Sequence, residues 1–128
     1  MKVLIDTHAL LWFLEGEQKK LSTIAINSII TDANEKYVSI ASLWEIAIKV
    51  NIGKLQLVSD FSRLESLIAS NGFQIVAIEY HHLIEYEKME IHHRDPFDRI
   101  LIAQSVSEGF QIITKDPNLS FYKIKTIW

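Results

Sequence analysis

The sequence contains no cysteine among its 128 residues. This absence excludes a disulfide-stabilised scaffold, a zinc site built on thiolates and a cysteine nucleophile. The two prolines and four glycines occur singly, so no flexible linker is expected. No apolar stretch approaches the ~20 residues that a membrane-spanning helix requires, and Asp6 interrupts the first apolar run before a signal-peptide core could form. We therefore expect a cytoplasmic protein with no membrane segment.

The sequence also lacks an excess of positive charge. It has 13 Lys and Arg residues against 16 Asp and Glu residues, a net charge of -3. Because proteins that bind nucleic acids usually carry a basic balance, this charge at first argues against such a partner. The length, with 48% hydrophobic and 23% charged residues, is typical of one globular domain spanning residues 1–128.

Short apolar segments alternate with helical patterns along the chain. Strands are expected at residues 2–5, 37–38, 73–78, 111–114 and 125–128. Helices are expected at residues 9–14, 21–30, 39–50, 61–70, 80–89 and 95–108, with a helical turn after residue 116. This alternation predicts an α/β fold, with a mostly parallel sheet covered by helices on both faces.

Five acidic residues occupy informative positions in this pattern. Asp6 directly follows the first strand, and Asp116 follows the fourth strand after one intervening residue. Asp95 and Asp98 lie three apart in the first turn of the last long helix, hence on one face. Glu45 lies within a helix, between apolar residues. If the first and fourth strands are neighbours, the five acids converge at the carboxyl edge of the sheet, where α/β proteins bind ligands.

Carboxylates at close range raise one another's pKa, and a divalent cation commonly relieves this repulsion. Oxygen ligands without cysteine favour Mg²⁺ or Mn²⁺. Such a cation activates water and stabilises the leaving oxygen in phosphodiester cleavage. The acids therefore predict a metal site suited to hydrolysis of a phosphodiester bond.

Helix capping offers an alternative explanation for most of these acids. Asp6 or Thr7 could cap the first helix. Asp95 and Asp116 each precede a proline, which is typical of an N-cap followed by proline at the first helical position. Asp98 would then interact favourably with the helix dipole. Capping does not explain why all five acids should gather at one edge.

Glu45 has two structural alternatives of its own. It could form a capping box with Ser42, since the two residues are three apart before an apolar run. It could also pair with Lys49 one helical turn later. If the helix begins near Ser39, however, Ser42 lies inside it, which weakens the first alternative.

The histidines and large aromatic residues are interpreted as structural. The pairs at 81–82 and 92–93 suggest zinc, but adjacent histidines should point in different directions from a helix, and the spacing matches no zinc motif. His8 is expected to pack beside the end of the first strand. Three aromatic residues among apolar neighbours are expected in the core: Trp12, Trp44 and Phe97.

Four segments resemble, in order from Lys2 to Tyr122, the sequence blocks of PIN-domain proteins: KVLIDTHALLWFL, SIASLWEIAIKVNIGKLQL, HHRDPFDRILIAQS and IITKDPNLSFY. The resemblance is greatest to the toxin ribonucleases of VapBC-type toxin–antitoxin pairs. It implies a three-layer α/β/α sandwich and an endoribonuclease that hydrolyses RNA with Mg²⁺ or Mn²⁺. It also implies a small antitoxin partner and a homodimer. The residues that it assigns to metal binding and catalysis are Asp6, Glu45, Asp98 and Asp116.

The resemblance also suggests supporting residues. Asp98 is preferred to Asp95 as a ligand because it precedes the apolar run RILIAQS; Asp95 is left as a helix cap or an outer contact of the metal site. Thr7 and Thr114 match small hydroxyl positions beside the metal-binding acids, which hold waters or carboxylates in place. Four basic residues near the motifs are candidates for contacts with the RNA backbone: Lys49, Arg94, Arg99 and Lys115.

Two other functions are considered. In one, the fold is a catalytically silent binding module that acts through a protein partner, for example by capturing a helix in an apolar groove. In the other, it is a metal-dependent phosphatase or a phosphoacceptor receiver with Asp6 as the reactive acid. The second is disfavoured because the phosphatase would need an aspartate at the position of His8, and the receiver an acidic pair where Thr7 follows Asp6.

The predicted site changes the interpretation of the net charge. Without the five acids, the chain has 11 acidic residues against 13 basic ones, a charge of +2. A bound Mg²⁺ would offset more of the negative charge of the site. The net charge of -3 therefore does not exclude RNA as a substrate.

Overall fold

The computed structural model describes residues 1–128. Its strands are β1 (Lys2–Ile5), β2 (Glu35–Ser39), β3 (Phe73–Val76), β4 (Gln111–Ile113) and β5 (Thr126–Ile127). Its helices are α1 (Thr7–Leu14), α2 (Thr23–Ile30), α3 (Ile40–Asn51), α4 (Leu64–Ser70), α5 (Tyr80–Lys88) and α6 (Pro96–Glu108). Short 3-10 turns cover Gln18–Lys20, Phe61–Arg63 and Pro117–Phe121. A membrane-spanning segment is not found among the helices, none of which combines the required length and hydrophobicity.

The five strands form one sheet in the order β3-β2-β1-β4-β5, and all neighbouring pairs are parallel. β1 occupies the centre, where Ile5 lies opposite Val38 of β2 and Ile113 of β4. The expected pairing of the first and fourth strands is therefore confirmed. Because the strands are parallel, β1, β2 and β4 end side by side, and the residues that follow them share one edge.

Helices cover both faces of this sheet. Val3 and Ile5 of β1 pack in a core cluster with residues of α1, α2, α3 and α4. Leu4 faces the opposite side and packs with Leu101 and Ile102 of α6. Helix α5 packs against α6, where Tyr86 contacts a small apolar cluster. The result is the expected three-layer α/β/α sandwich with a parallel central sheet.

Helix α6 runs through the interior and places Asp98 at the carboxyl edge of the sheet. Asp95 is its N-cap, Pro96 is its first residue, and Gly109 ends it with a φ of 76° that favours glycine. Residues 99–105 are all buried, so the helix has no solvated face along this stretch. The start of α6 is therefore held firmly relative to the sheet.

The aromatic residues correct one expectation. Trp44 is 61% exposed, so its assignment to the core is wrong. Its neighbours Leu43 and Glu45 are buried, whereas Trp44 lies on the exposed side of α3, where its ring meets that of Phe97 edge-on with centroids 5.3 Å apart. An apolar sequence neighbourhood does not show which face of a helix a residue occupies. Phe97 and Trp12 are half-buried and pack against core clusters.

Candidate metal centre

Asp6 lies at the end of β1 and is 6% exposed. Its backbone N–H donates to the carbonyl of Ile113, which fixes it beside β4. Asp6, not Thr7, caps α1, since its Oδ1 accepts from the N–H of Ala9 at 2.8 Å. Its Oδ2 accepts from the Thr114 hydroxyl at 2.5 Å. Asp6 is therefore both the N-cap of α1 and a residue at the predicted edge of the sheet.

Asp116 reaches the same edge from the segment after β4. Its Oδ1 caps the following 3-10 turn by accepting from the N–H of Asn118 at 2.9 Å. Its own N–H donates to the Thr114 hydroxyl at 3.0 Å, and that hydroxyl donates to Asp6. Thr114 thus joins the segments that carry Asp6 and Asp116, as its predicted supporting role requires.

Glu45 enters from α3 and is 8% exposed. Its Oε1 accepts from the Thr7 hydroxyl at 2.7 Å, and its Oε2 lies 3.1 Å from Lys49 Nζ. The alternative capping box with Ser42 is wrong, because Ser39 caps α3 and Ser42 lies inside the helix. Ser42 Oγ is in fact buried without a hydrogen-bond partner. The pairing with Lys49 is present.

Asp98 lies in the first turn of α6, below the cap. Asp95 accepts from the N–H groups of Phe97 and Asp98 at 2.9 and 3.1 Å, which confirms its role as a cap. The pKa of Asp98 is raised from 3.8 to about 7, first by burial and then by repulsion from four other carboxylates. Those carboxylates belong to Asp95, Asp116, Asp6 and Glu45, in decreasing order of effect. The acids predicted to converge therefore interact electrostatically through Asp98.

Asp6 is subject to opposing effects. Burial raises its pKa most, and the negative charge of Asp116 raises it further. The hydrogen bonds from Thr114 and Ala9 and the nearby His8 act in the opposite direction without cancelling the rise. Both aspartates thus favour the neutral form more than a solvated carboxylate does, which is the condition that a bound cation relieves.

The donor set fits a hard divalent cation. All four predicted ligands offer carboxylate oxygens, the ligand type that Mg²⁺ and Mn²⁺ prefer. Lys49 is the only lysine or arginine within ion-pair distance of any of them, and it pairs with Glu45. The three aspartates therefore have no lysine or arginine that would neutralise them in place of a cation.

An open cleft gives access to two of the acids. It has a volume of about 430 Å³ and is lined by Asp6, His8, Trp12, Lys115, Asp116 and Pro117. His8 is exposed there rather than packed beside the strand, and its ring lies 6.1 Å from that of Trp12. Sequence reasoning did not place His8 or Trp12 near the site, although the two lie four residues apart on one face of α1, just after Asp6. Lys115 is the predicted RNA-contacting residue that lines this cleft.

The remaining basic candidates differ in accessibility. Arg94 is exposed just before α6, and Lys49 is half-buried against Glu45. Arg99 is only 7% exposed; its guanidinium stacks on Tyr86 at 4.9 Å, and its Nε has no partner. This burial argues against the predicted contact of Arg99 with an RNA backbone.

His93 is a neighbour of the acids that sequence reasoning missed. Its Nε2 lies 3.4 Å from Asp98 Oδ2, and its Nδ1 lies 2.9 Å from the Tyr122 hydroxyl. As a sequence pattern, the pair at 92–93 suggests only zinc. The signal that could have identified it is its position two residues before the cap of the helix that carries Asp98.

A second polar cluster lies about 15 Å further along α6, given 1.5 Å per helical residue. Both His81 Nε2 and His82 Nε2 contact Glu108 Oε1, at 2.8 and 2.9 Å, and their ring centroids are 4.2 Å apart. The expectation that adjacent histidines point apart is therefore wrong here, because the first turn of α5 faces the end of α6. Side-chain atoms of the three residues that could bind a metal lie within 4.8 Å of one another.

The hydrogen bonds of this second cluster account for its geometry without a metal. The N–H of Glu79 donates to His82 Nδ1 at 3.0 Å, so neutral His82 carries its hydrogen on Nε2 and donates it to Glu108. The pKa of Glu108 is lowered, chiefly by the hydrogen bonds from His81 and His82. The cluster therefore joins α5 to α6 through the Glu108 carboxylate, which accepts hydrogen bonds from both histidines.

The fold and the acidic edge define an α/β/α sandwich with a cluster of carboxylates at the carboxyl ends of its strands. More specifically, the chain belongs to the PIN domain family, whose model matches residues 3–126. The resemblance of the four sequence segments to PIN-domain proteins is thus confirmed.

Solved structures share this fold. A chain in the structure of VapBC2 from Rickettsia felis bound to a DNA fragment from their promoter matches with a TM-score of 0.72 and 10% identity, over 98% of this chain and 97% of that chain. A chain in the structure of FitAB bound to an IR36 DNA fragment matches with a TM-score of 0.67 and 16% identity, over 98% and 93% respectively. No curated protein matches the sequence. At these identities the likeness concerns the fold.

Proposed function

We propose that this chain is a Mg²⁺- or Mn²⁺-dependent endoribonuclease, the toxin component of a toxin–antitoxin pair, acting as one domain. The observation that carries the proposal is the convergence of acids from β1, α3, α6 and the segment after β4 at one edge of the sheet, where the other acids help to raise the pKa of Asp98. Membership of the PIN family supports it, because PIN domains are generally metal-dependent nucleases. The two structural neighbours, which carry the names of VapBC2 and FitAB complexes, support the assignment to a toxin.

The proposed ligands of the cation are Asp6, Glu45, Asp98 and Asp116. The Thr7 hydroxyl restrains Glu45, and the Thr114 hydroxyl restrains Asp6, so two carboxylates are held in one orientation. A bound divalent cation supplies activation of a water nucleophile and neutralisation of charge on the leaving oxygen. Lys115, in the wall of the cleft, is placed to hold a phosphate of the RNA backbone.

The experiment is cleavage of a structured RNA by the purified chain, with Mg²⁺, with Mn²⁺ and with a chelator. We expect cleavage only with the cation and its loss in Asp6→Asn. The matched control is Asp32→Asn, which removes an exposed acid just before β2, at the opposite edge of the sheet. Cleavage by Asp6→Asn at the parent rate would show that the assigned site is wrong.

A groove on the surface supports a protein partner. It lies between α3, α5 and α6, has a volume of about 250 Å³, and is lined almost entirely by apolar side chains that include the exposed Trp44 and Leu83. An apolar groove of this kind suits a helix or an extended segment of a small antitoxin. A homodimer is part of the same proposal, and light scattering of the purified chain measures it.

The same groove favours the second candidate function, a catalytically silent module that acts through its partner. Calorimetric titration with Mn²⁺ separates the two functions. Binding of Mn²⁺ together with RNA cleavage supports the nuclease, whereas a folded chain that does neither supports the binding module.

A further inference from the structure

His93 connects the predicted metal ligand Asp98 to the core cluster that contains Leu101 and Ile102 of α6. Its side chain is 13% exposed, and its ring packs edge-on against Tyr122 with centroids 5.5 Å apart. Tyr122 is 8% exposed and belongs to the cluster that contains Leu101 and Ile102. The imidazole is therefore held between a rigid core residue and a member of the acidic site.

The hydrogen bonds determine which nitrogen of His93 carries the hydrogen. The backbone N–H of His93 donates to the Tyr122 hydroxyl oxygen at 3.4 Å, and the only acceptor within hydrogen-bond distance of the hydroxyl hydrogen is His93 Nδ1 at 2.9 Å, so the hydroxyl donates to Nδ1. With Nδ1 accepting, neutral imidazole carries its hydrogen on Nε2. That hydrogen is directed at Asp98 Oδ2, at a long 3.4 Å.

This arrangement separates two roles that a histidine beside carboxylates could have. A metal ligand needs a free nitrogen lone pair, but Nδ1 is occupied by Tyr122 and Nε2 carries a hydrogen. A donor to a ligating carboxylate instead fixes the orientation of that carboxylate and leaves its other oxygen for the cation. The contacts of His93 match the second role.

We propose that His93 is a positioning residue that orients Asp98 toward the cation, with Tyr122 fixing the tautomer of His93. The proposal rests on the proposed metal-dependent function. It differs from the predicted supporting roles of Thr7 and Thr114, because it concerns Asp98, which neither threonine contacts. The donor reaches Oδ2, so it leaves the lone pairs of Oδ1 of Asp98 available to a cation.

The test is calorimetric titration of Mn²⁺ into the full chain and its variants, with the Tm of each measured in chelator. His93→Ala should weaken Mn²⁺ binding by about 10–100-fold, the range for groups that orient metal ligands. His93→Gln should bind close to the parent affinity, because its amide N–H₂ reaches the position of Nε2. Tyr122→Phe keeps the ring but removes the hydroxyl, and should fall between the two.

His92→Ala is the matched control, since His92 stacks near Phe121 and Tyr122, lies 3.4 Å from Glu90 and does not contact Asp98. RNA cleavage by His93→Ala should recover at high Mn²⁺ concentration. The proposal is overturned if His93→Ala binds Mn²⁺ like the parent, if His93→Gln is as defective as His93→Ala, or if the loss follows a lowered Tm. A parent chain that binds no Mn²⁺ overturns the metal site itself, and this assignment with it.

Discussion

The two ends of α6 carry acids whose pKa values are shifted in opposite directions. At its start, the pKa of Asp98 is raised to about 7 by burial and by four neighbouring carboxylates. At its end, the pKa of Glu108 is lowered by hydrogen bonds from His81 and His82. One helix therefore holds an acid whose charge is destabilised and an acid whose charge is stabilised. The first arrangement is suited to binding a cation and the second to holding α5 on α6.

This difference assigns the two acids of α6 to different roles: Asp98 to function and Glu108 to stability. Acids whose charge is not compensated by their neighbours destabilise the folded chain unless something else neutralises them, and such groups cluster at functional sites. An acid with two histidine partners needs no ligand. If the contrast is correct, neutralising Asp98 should change RNA cleavage and cation binding whereas neutralising Glu108 should not, and the two substitutions should change the stability of the metal-free chain in opposite directions.

The largest expected effect is on RNA cleavage. Asp98→Asn removes a proposed cation ligand and should lower the Mg²⁺-dependent rate by roughly a hundredfold or more. Glu108→Gln lies at the other end of α6 and should leave the rate unchanged. The measurement is single-turnover cleavage of a structured RNA at saturating metal. Equal losses in the two variants would break the comparison.

The next effect is stabilisation by the cation. At a Mn²⁺ concentration 100 times its Kd, the free energy of unfolding should rise by about 2.7 kcal/mol, because the cation binds the folded chain. The parent and Glu108→Gln should both show this rise as a higher Tm, and it should disappear on adding EDTA. Asp98→Asn should show a much smaller rise at the same concentration. A full rise in Asp98→Asn would place the cation away from Asp98.

A smaller effect is expected on the stability of the chain without metal. Asp98→Asn, which lowers activity, should here be more stable than the parent. The pKa of Asp98 is raised from 3.8 to about 7, so folding disfavours its ionised form. The resulting destabilisation is absent below pH 3.8, grows between the two values and is complete above about pH 7. The full shift corresponds to about 4 kcal/mol, but the Asp98 side chain is 24% exposed and solvent screens its charge. Asp98→Asn in EDTA should therefore raise the free energy of unfolding by about 1–2 kcal/mol at pH 8 and hardly change it below pH 4. Urea unfolding at both pH values measures the difference.

Much of this molecule could be predicted from local patterns. Asp95-Pro96 and Gly109 mark the ends of α6, and alternating apolar strands predicted the parallel sheet whose edge gathers the acids. Asp6 and Asp95 are helix caps as well as residues at the site. The structure thus accommodates both explanations that the sequence left open.

The missed features depend on contacts between distant segments. The contact of His93 with the Tyr122 hydroxyl spans 29 positions in sequence, and the His82–Glu108 contact spans 26. No periodicity within a helix shows that the start of α5 meets the end of α6, so the convergence of two adjacent histidines could not be foreseen. The same limit applies to Trp44 and Arg99, whose exposure depends on which neighbour covers each face of a helix.

The smallest effect is the change in stability caused by Glu108→Gln. It should have the opposite sign to the change caused by Asp98→Asn in the chain without metal. Because hydrogen bonds lower the pKa of Glu108 below its ordinary 4.5, the folded state favours its charged form. This stabilisation is present above pH 4.5 and is lost as the pH falls through the lowered value. Glu108→Gln should therefore lower the Tm at pH 7 by less than Asp98→Asn raises it, since Glu108 is about one-third exposed. Below the lowered pKa the two chains should melt together. A Glu108→Gln deficit that persists at pH 3 would mean that side-chain packing, and not the charge on Glu108, holds α5 to α6.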